Sequence, residues 1–252
     1  MRRVKKRIYS GVVCEQIVYS VSDKVKNIKK SSPRVRFKTE EERAAHRRGI
    51  ARRKHARLVN ENFSPSSFYS TLTMDDAHEV HTFEEARRIR SLFRRRLQYA
   101  YPDAKIVIYM GRGKSTHRIH FHMLSDGIPR EFIEKAWQMG SVKRVESLRE
   151  HNFYGGIDYG QDYTGLANYL FDHWTDEVGG HYYMSTRNMR QPEEEDATEV
   201  KRLYTKDKPP RAPKGYEFRE SKVTEFGFLY YKYIKIEKKK RGRPRGAQSA
   251  QL

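Results

Sequence analysis

The stretch from Lys105 to Leu124 constrains the fold most. Lys105-Ile-Val-Ile-Tyr-Met110 reads as a buried strand, and Ile119-His-Phe-His-Met-Leu124 is strand-like again. Gly111-Arg-Gly-Lys between them predicts a turn, so the two runs are expected to pair as a β-hairpin. Alternate side chains of a strand share a face, which sends the imidazoles of His120 and His122 out together and lets them chelate one metal ion. Two histidines at this spacing also suit a polar strand face turned to water. Their neighbours decide between the two.

Ser67-Phe-Tyr-Ser-Thr-Leu-Thr73 is aromatic and β-branched and predicts a strand upstream. Thr39 followed by three glutamates marks a helix start, since the hydroxyl caps free amides and the acids suit the dipole; that helix is expected to reach about Val59. Thr82-Phe-Glu-Glu opens a second helix to about Tyr99, with Ala86, Ile89, Leu92, Phe93 and Leu97 as its core stripe and an Arg-rich opposite face. Arg130 to Met139 reads as a helix, and Ser141 to Glu146 as a strand or part of the packing layer. Asp158 to Gly165 is turn-like, and a further helix is expected from Tyr163 to Asp176. The alternation around Tyr230, Tyr231 and Tyr233 predicts a late hairpin within 223–236. This order predicts an α+β fold with a central antiparallel sheet, in two layers with helices on one face. Four segments are expected: a basic arm with a helix at 1–62, a central domain at 63–190, a linker and β extension at 191–236, and a basic tail at 237–252.

The chain has 252 residues and a net charge of +20, from 52 Lys and Arg against 32 acids. That imbalance predicts a polyanionic partner, nucleic acid first. No apolar run approaches the roughly 18 residues a membrane span needs, and no signal-peptide core follows the basic N-terminus, so a soluble intracellular protein without a membrane partner is expected. Cys14 is alone, so a metal site must be built from histidines and carboxylates.

Three motifs stand in order: the strand ending Leu72-Thr73, His120-Phe-His122, and Gly165-Leu-Ala-Asn-Tyr169-Leu-Phe-Asp-His173 with a tyrosine in a helical pattern. This trio resembles the HUH endonucleases, most closely the rolling-circle replication initiators of bacterial plasmids, phages and integrative elements. Tyr183-Met-Ser-Thr-Arg-Asn-Met-Arg-Gln-Pro192 and Gly215-Tyr-Glu-Phe218 add to the similarity. The resemblance implies a two-layer HUH fold and a bacterial cytoplasmic nickase and strand transferase acting on single-stranded origin DNA. It also implies a divalent cofactor, Mn2+ or Mg2+, on His120 and His122, and Tyr169 as the nucleophile that forms a 5′-phosphotyrosine. A relaxase or single-strand transposase shares this chemistry. A non-catalytic DNA- or RNA-binding protein is the rival from another class. No Gly-rich phosphate loop is present, so a host helicase and polymerase would have to act with it.

The chain departs from the family pattern twice. No carboxylate lies at 104–119 to serve as third ligand, which leaves His117, Asp75, Asp76, His78 or a helix residue open. One turn after Tyr169 the usual lysine is replaced by Asp172 and His173; His173 shares the helix face of Tyr169 and can orient it, carry a proton or ligate the ion. Among the other tyrosines, only Tyr163 is placed to act as a second nucleophile. Finally, Lys238-Lys-Lys-Arg-Gly-Arg-Pro-Arg245 is similar to an AT-hook: Gly242 permits close approach, Pro244 keeps the strip extended, and Arg241 and Arg243 suit the narrow minor groove of A·T-rich duplex.

Overall fold

The computed structural model describes residues 1–33, 35, 37, 39–113, 117–173, 183–224 and 227–236. The tail at 237–252, with Arg241, Gly242, Arg243 and Pro244, lies outside the described residues. In chain order the elements are β1 (Arg2–Ser10), β2 (Val13–Val21), α1 (Glu40–Asn62), β3 (Phe68–Thr73), a short 3-10 turn (Asp76–His78), α2 (Phe83–Ala100), β4 (Lys105–Arg112), β5 (Ile119–Asp126) and α3 (Arg130–Ala136). They continue with β6 (Val142–Ser147), β7 (Phe153–Tyr154), β8 (Ile157–Asp158), α4 (Thr164–Asp172), β9 (Met184–Ser185), β10 (Glu193–Glu194), β11 (Thr198–Glu199), β12 (Tyr216–Val223) and β13 (Leu229–Lys235).

The fold is α+β with antiparallel sheets. The central sheet has the order β6-β3-β5-β4-β9, and its middle is the predicted hairpin. The turn comes later than Gly111: Gly111 and Arg112 are still paired, opposite His120 and Ile119, and the connection tightens only at Gly113, whose N–H donates to the Arg118 carbonyl at 2.9 Å. Alternation sorts the sheet's side chains. Ile106, Ile108, Met110, Phe121, Met123 and Leu72 pack against Ala86, Phe93 and Leu97 of α2 and Ile133 and Ala136 of α3. Val107, Tyr109 and Leu124 face the other way, against Ala56, Leu58 and Val59 of α1 and Ala167 and Leu170 of α4. Helices therefore lie on both faces, which corrects the expected two layers. The reason is that the C-terminal half of α1 and the whole of α4 carry apolar stripes of their own that only the second sheet face can bury. Their cover stops short of the sheet end that carries Thr71, Thr73 and His120, which stays partly exposed.

Local signals hold up well. Thr39 Oγ1 accepts from the Glu42 amide at 3.2 Å, and Thr82 Oγ1 from the Glu85 amide at 3.3 Å. α1 runs on to Asn62, which is tied down by donating to Leu58 O at 2.9 Å and Arg190 O at 2.8 Å. α3 stops at Ala136, earlier than expected, where Trp137 turns its indole N–H to the Thr73 carbonyl at 2.9 Å. In α2, Leu92 is 53% exposed and Arg90 is 5% exposed, which reverses their expected places. The buried stripe runs 86, 90, 93, 97, and position 92 falls off it.

The N-terminal segment is not an arm. β1 and β2 form a hairpin that pairs with β13, giving the sheet order β10-β1-β2-β13-β12, with β11 also on β1. Its basic run is compatible with a strand because the acidic run downstream lies alongside: Lys6 pairs with Glu194, and Arg7 with Glu195 at 3.9 Å. Cys14 and Val18 bury against Tyr231 and Tyr233. The Pro-rich stretch expected as a linker crosses that face and accepts from both tyrosines, Tyr231 through Thr205 O at 2.8 Å and Tyr233 through Pro210 O at 3.0 Å. The first and last strands thus build one sheet, and the expected boundaries at 62 and 191 do not separate them. No helix among the described residues is long and apolar enough to cross a membrane.

Candidate metal centre

His120 and His122 leave β5 on the face that α1 and α4 partly roof. His173, the C-terminal cap of α4, comes down beside them, and one ring nitrogen from each of the three lies within 4.8 Å of the others. His120 Nε2 and His122 Nε2 are 3.2 Å apart. The far side of the His122 ring is engaged: Nδ1 is 2.8 Å from the Tyr69 hydroxyl and 3.3 Å from Thr71 Oγ1, two side chains that share its face because Thr71 lies opposite His122 in the ladder. With Nδ1 occupied, Nε2 is the nitrogen left to face a ligand. Burial, aided by His120 and His173, holds His122 down at about 3, and burial also lowers His120, so both stand ready as neutral donors.

Gly111 makes the close approach possible. A β-carbon there would sit 3.0 Å from His120 Nε2 and 3.3 Å from His173 Cδ2, so any larger residue pushes two of the three rings. The donor chemistry fits a divalent ion: three imidazoles whose nitrogens converge, with an outer partner fixing one ring. An all-nitrogen set suits a transition ion better than Mg2+, which prefers oxygen.

Tyr169 stands next to this cluster. Its ring centroid is 4.4 Å from that of His173, its hydroxyl is 3.4 Å from His173 Nε2, and it is 52% exposed. Both ends of α4 are anchored. At the start, Asp162 Oδ1 accepts from the Thr164 amide at 2.9 Å and Asn60 Oδ1 from the Tyr163 amide at 2.8 Å. Behind them Lys232 of β13 donates to Asp162 Oδ2 at 2.8 Å, in a pair whose side chains are 7% and 1% exposed. At the other end Arg52 of α1 holds Asp172, Nη2 to Oδ2 at 2.6 Å and Nε to Oδ2 at 3.0 Å.

The structure thus brings Tyr169, His173, His120 and His122 together. Among the described residues the group includes none of the other ligand candidates His117, Asp75, Asp76 and His78; Asp75 pairs with His78 at 2.7 Å, and Asp76 with Arg118 at 2.7 Å. Tyr163 is 2% exposed and donates to the Arg149 carbonyl at 3.0 Å; burial pushes its hydroxyl well above the usual range, so it is no second nucleophile. Sequence reasoning missed Tyr69, Thr71, Gly111 and the Lys232–Asp162–Asn60 brace. Strand parity could have found the first two once the β3–β5 register was known, but nothing local signals the brace. No family model, curated protein or solved structure matches this chain.

Proposed function

We propose that this protein is a metal-dependent DNA nickase and strand transferase in which Tyr169 is the nucleophile. The observation that carries the reading is the Tyr169 hydroxyl 3.4 Å from His173 Nε2, on the edge of a three-histidine cluster whose nitrogens lie within 4.8 Å. A divalent ion bound there, Mn2+ in preference to Mg2+, would hold the scissile phosphate and offset its growing charge. The phenol oxygen of Tyr169 attacks phosphorus, and the bond to the 3′-oxygen breaks. The phenolic proton passes to water, the departing 3′-oxygen takes a proton from water, and the 5′-phosphate stays on the tyrosine, preserving the linkage for rejoining, while His173 orients the Tyr169 hydroxyl. His122 is held by Tyr69 and Thr71, and α4 by Asp162 and Asp172, so the reacting groups are positioned before substrate arrives.

In this reading the substrate is single-stranded DNA at the origin of a mobile element. The tail around Arg241, Gly242, Arg243 and Pro244 recruits A·T-rich duplex, and host helicase and polymerase complete rolling-circle replication. The same chemistry would serve a relaxase or a single-strand transposase. The test is a labelled single strand incubated with protein and Mn2+ and run on a denaturing gel. A covalent band is expected, lost on chelation and in Tyr169→Phe. If no divalent ion yields a band, the enzyme reading is wrong and a binding protein remains; a band from Tyr169→Phe moves the nucleophile elsewhere.

A further inference from the structure

α2 carries a row of arginines that the metal centre does not use. Phe83, Arg87, Arg90 and Arg94 are spaced 4, 3 and 4 apart, so they form one stripe about 16 Å long on the helix. The stripe lies along one edge of the buried face, and α3 packs on the other edge. On the α3 side Arg96 is satisfied, donating to Ala136 O at 2.8 Å and to Gln138 Oε1 at 3.0 Å. Along the stripe the donors are not. Arg90 is 5% exposed, yet its Nε and Nη1 meet no acceptor among the described residues; the same holds for Arg87 Nη2 and Arg94 Nε, although Arg94 Nη1 reaches Gln98 at 2.6 Å.

Burial, with Arg87 close by, lowers Arg90 to about 10, and among the described residues no carboxylate acts on its charge. A sealed guanidinium without a counter-ion is costly, and four sealed N–H donors on one stripe are costlier. Such a row concentrates positive charge along one side of α2, and Arg87 and Arg94 carry it to the half-exposed rim. The sheet tells where an anion would run. Arg112, the last residue of β4, lies with its guanidinium 5.1 Å from the centre of the Phe83 ring, at the head of the stripe. It follows Gly111, which lies opposite His120 in the ladder, but points to the opposite face of the sheet. The stripe therefore starts behind the metal centre and leads away from it along α2.

We propose that Arg87, Arg90 and Arg94 form a phosphodiester-binding track for the nucleic-acid strand, separate from the histidine centre. Phosphate oxygens would meet the guanidiniums of Arg87 and Arg94 along their half-exposed edges, and the sealed charge of Arg90 between them adds its attraction from behind. This rests on a nucleic-acid partner but not on the nicking chemistry, so binding and cleavage can fail independently.

The test is equilibrium binding of a labelled single strand of about 20 nucleotides, and of the matching duplex, across a salt series. The proteins are the full chain, Arg90→Met, and the double variant Arg87→Gln with Arg94→Gln. Both variants are expected to bind roughly three- to tenfold more weakly, and the log-log salt slope on the single strand to fall by about 0.7 for each phosphate no longer neutralised. Arg90→Met should melt at the same temperature or higher, because it removes a buried charge with no partner and keeps the packed stem. Should Arg90→Met misfold, the half-buried pair Arg87 and Arg94 still reads the track. A loss confined to duplex assigns the track to duplex backbone. Unchanged affinity and slope in both variants overturn the proposal. So does a melting shift with inorganic tripolyphosphate that depends on Arg90 while neither oligonucleotide does.

Discussion

Gly111 is where the smallest change should disturb the centre most. Adding one methyl places carbon 3.0 Å from His120 Nε2 and 3.3 Å from His173 Cδ2, so at least one ring must turn. Gly111→Ala should weaken Mn2+ binding by roughly 10- to 100-fold, as when a supporting group is lost, with little change in stability because Gly111 has an ordinary strand φ. Isothermal titration with Mn2+ checks it; unchanged affinity would mean the three rings do not converge on an ion. His55 gives a pH signature of a different kind. It is buried, its Nε2 is 2.9 Å from the Tyr109 hydroxyl, and burial lowers it to about 3. An unfolded histidine titrates near 6.5, so between about 6.5 and 3 the unfolded chain takes up a proton that the folded chain refuses. Stability should therefore be full above 6.5 and fall as pH drops, by at most about 1.4 kcal/mol per unit from this group. Urea titrations at several pH values should show a shallower fall in His55→Gln, and equal slopes would place His55 in water.

At the scale of the element, α4 is the part to perturb. Its start is braced by the buried Lys232–Asp162 pair, so removing one partner leaves a charge stranded. Lys232→Met alone or Asp162→Asn alone should cost about 3–5 kcal/mol, and the double variant should recover most of that. Chemical denaturation of the three variants measures the coupling, and additive losses would show that the pair is not a unit. What the sequence revealed about α4 and its neighbours divides along the same line. The caps at Thr39 and Thr82, the β4–β5 hairpin and the shared face of His120 and His122 depend on residues a few positions apart, and were legible. So was the position of Tyr169 with respect to His173, one turn away. Arg90 in the core stripe was not, because an arginine there breaks the apolar pattern that marks a helix face. Tyr69, Lys232 and Asp162 reach the centre through strand register and sheet order, which no local spacing encodes.

For the whole molecule, the sheet that joins both ends of the described chain matters most. β2 lies between β1 and β13, so deleting residues 1–21 strips β13 of its inner neighbour and exposes Tyr231 and Tyr233, which are fully buried. That deletion should abolish cooperative unfolding rather than yield a lighter folded protein, and near-ultraviolet circular dichroism would report it; a native spectrum from residues 22–252 would make the N-terminal hairpin the dispensable arm its charge suggests. The basic run misled because its compensation lies far off, at Glu194 and Glu195. The same sheet sets a schedule. Tyr230 donates to Glu15 across 215 positions of sequence, and Lys232, two residues on, fixes the start of α4. Closing a loop of that length costs about 5 kcal/mol of chain entropy before any favourable pairing offsets it, so the strands join late. While the ribosome is still working, the helix bearing Tyr169 has no brace, and its start is expected to stay unfixed until the last strand has emerged.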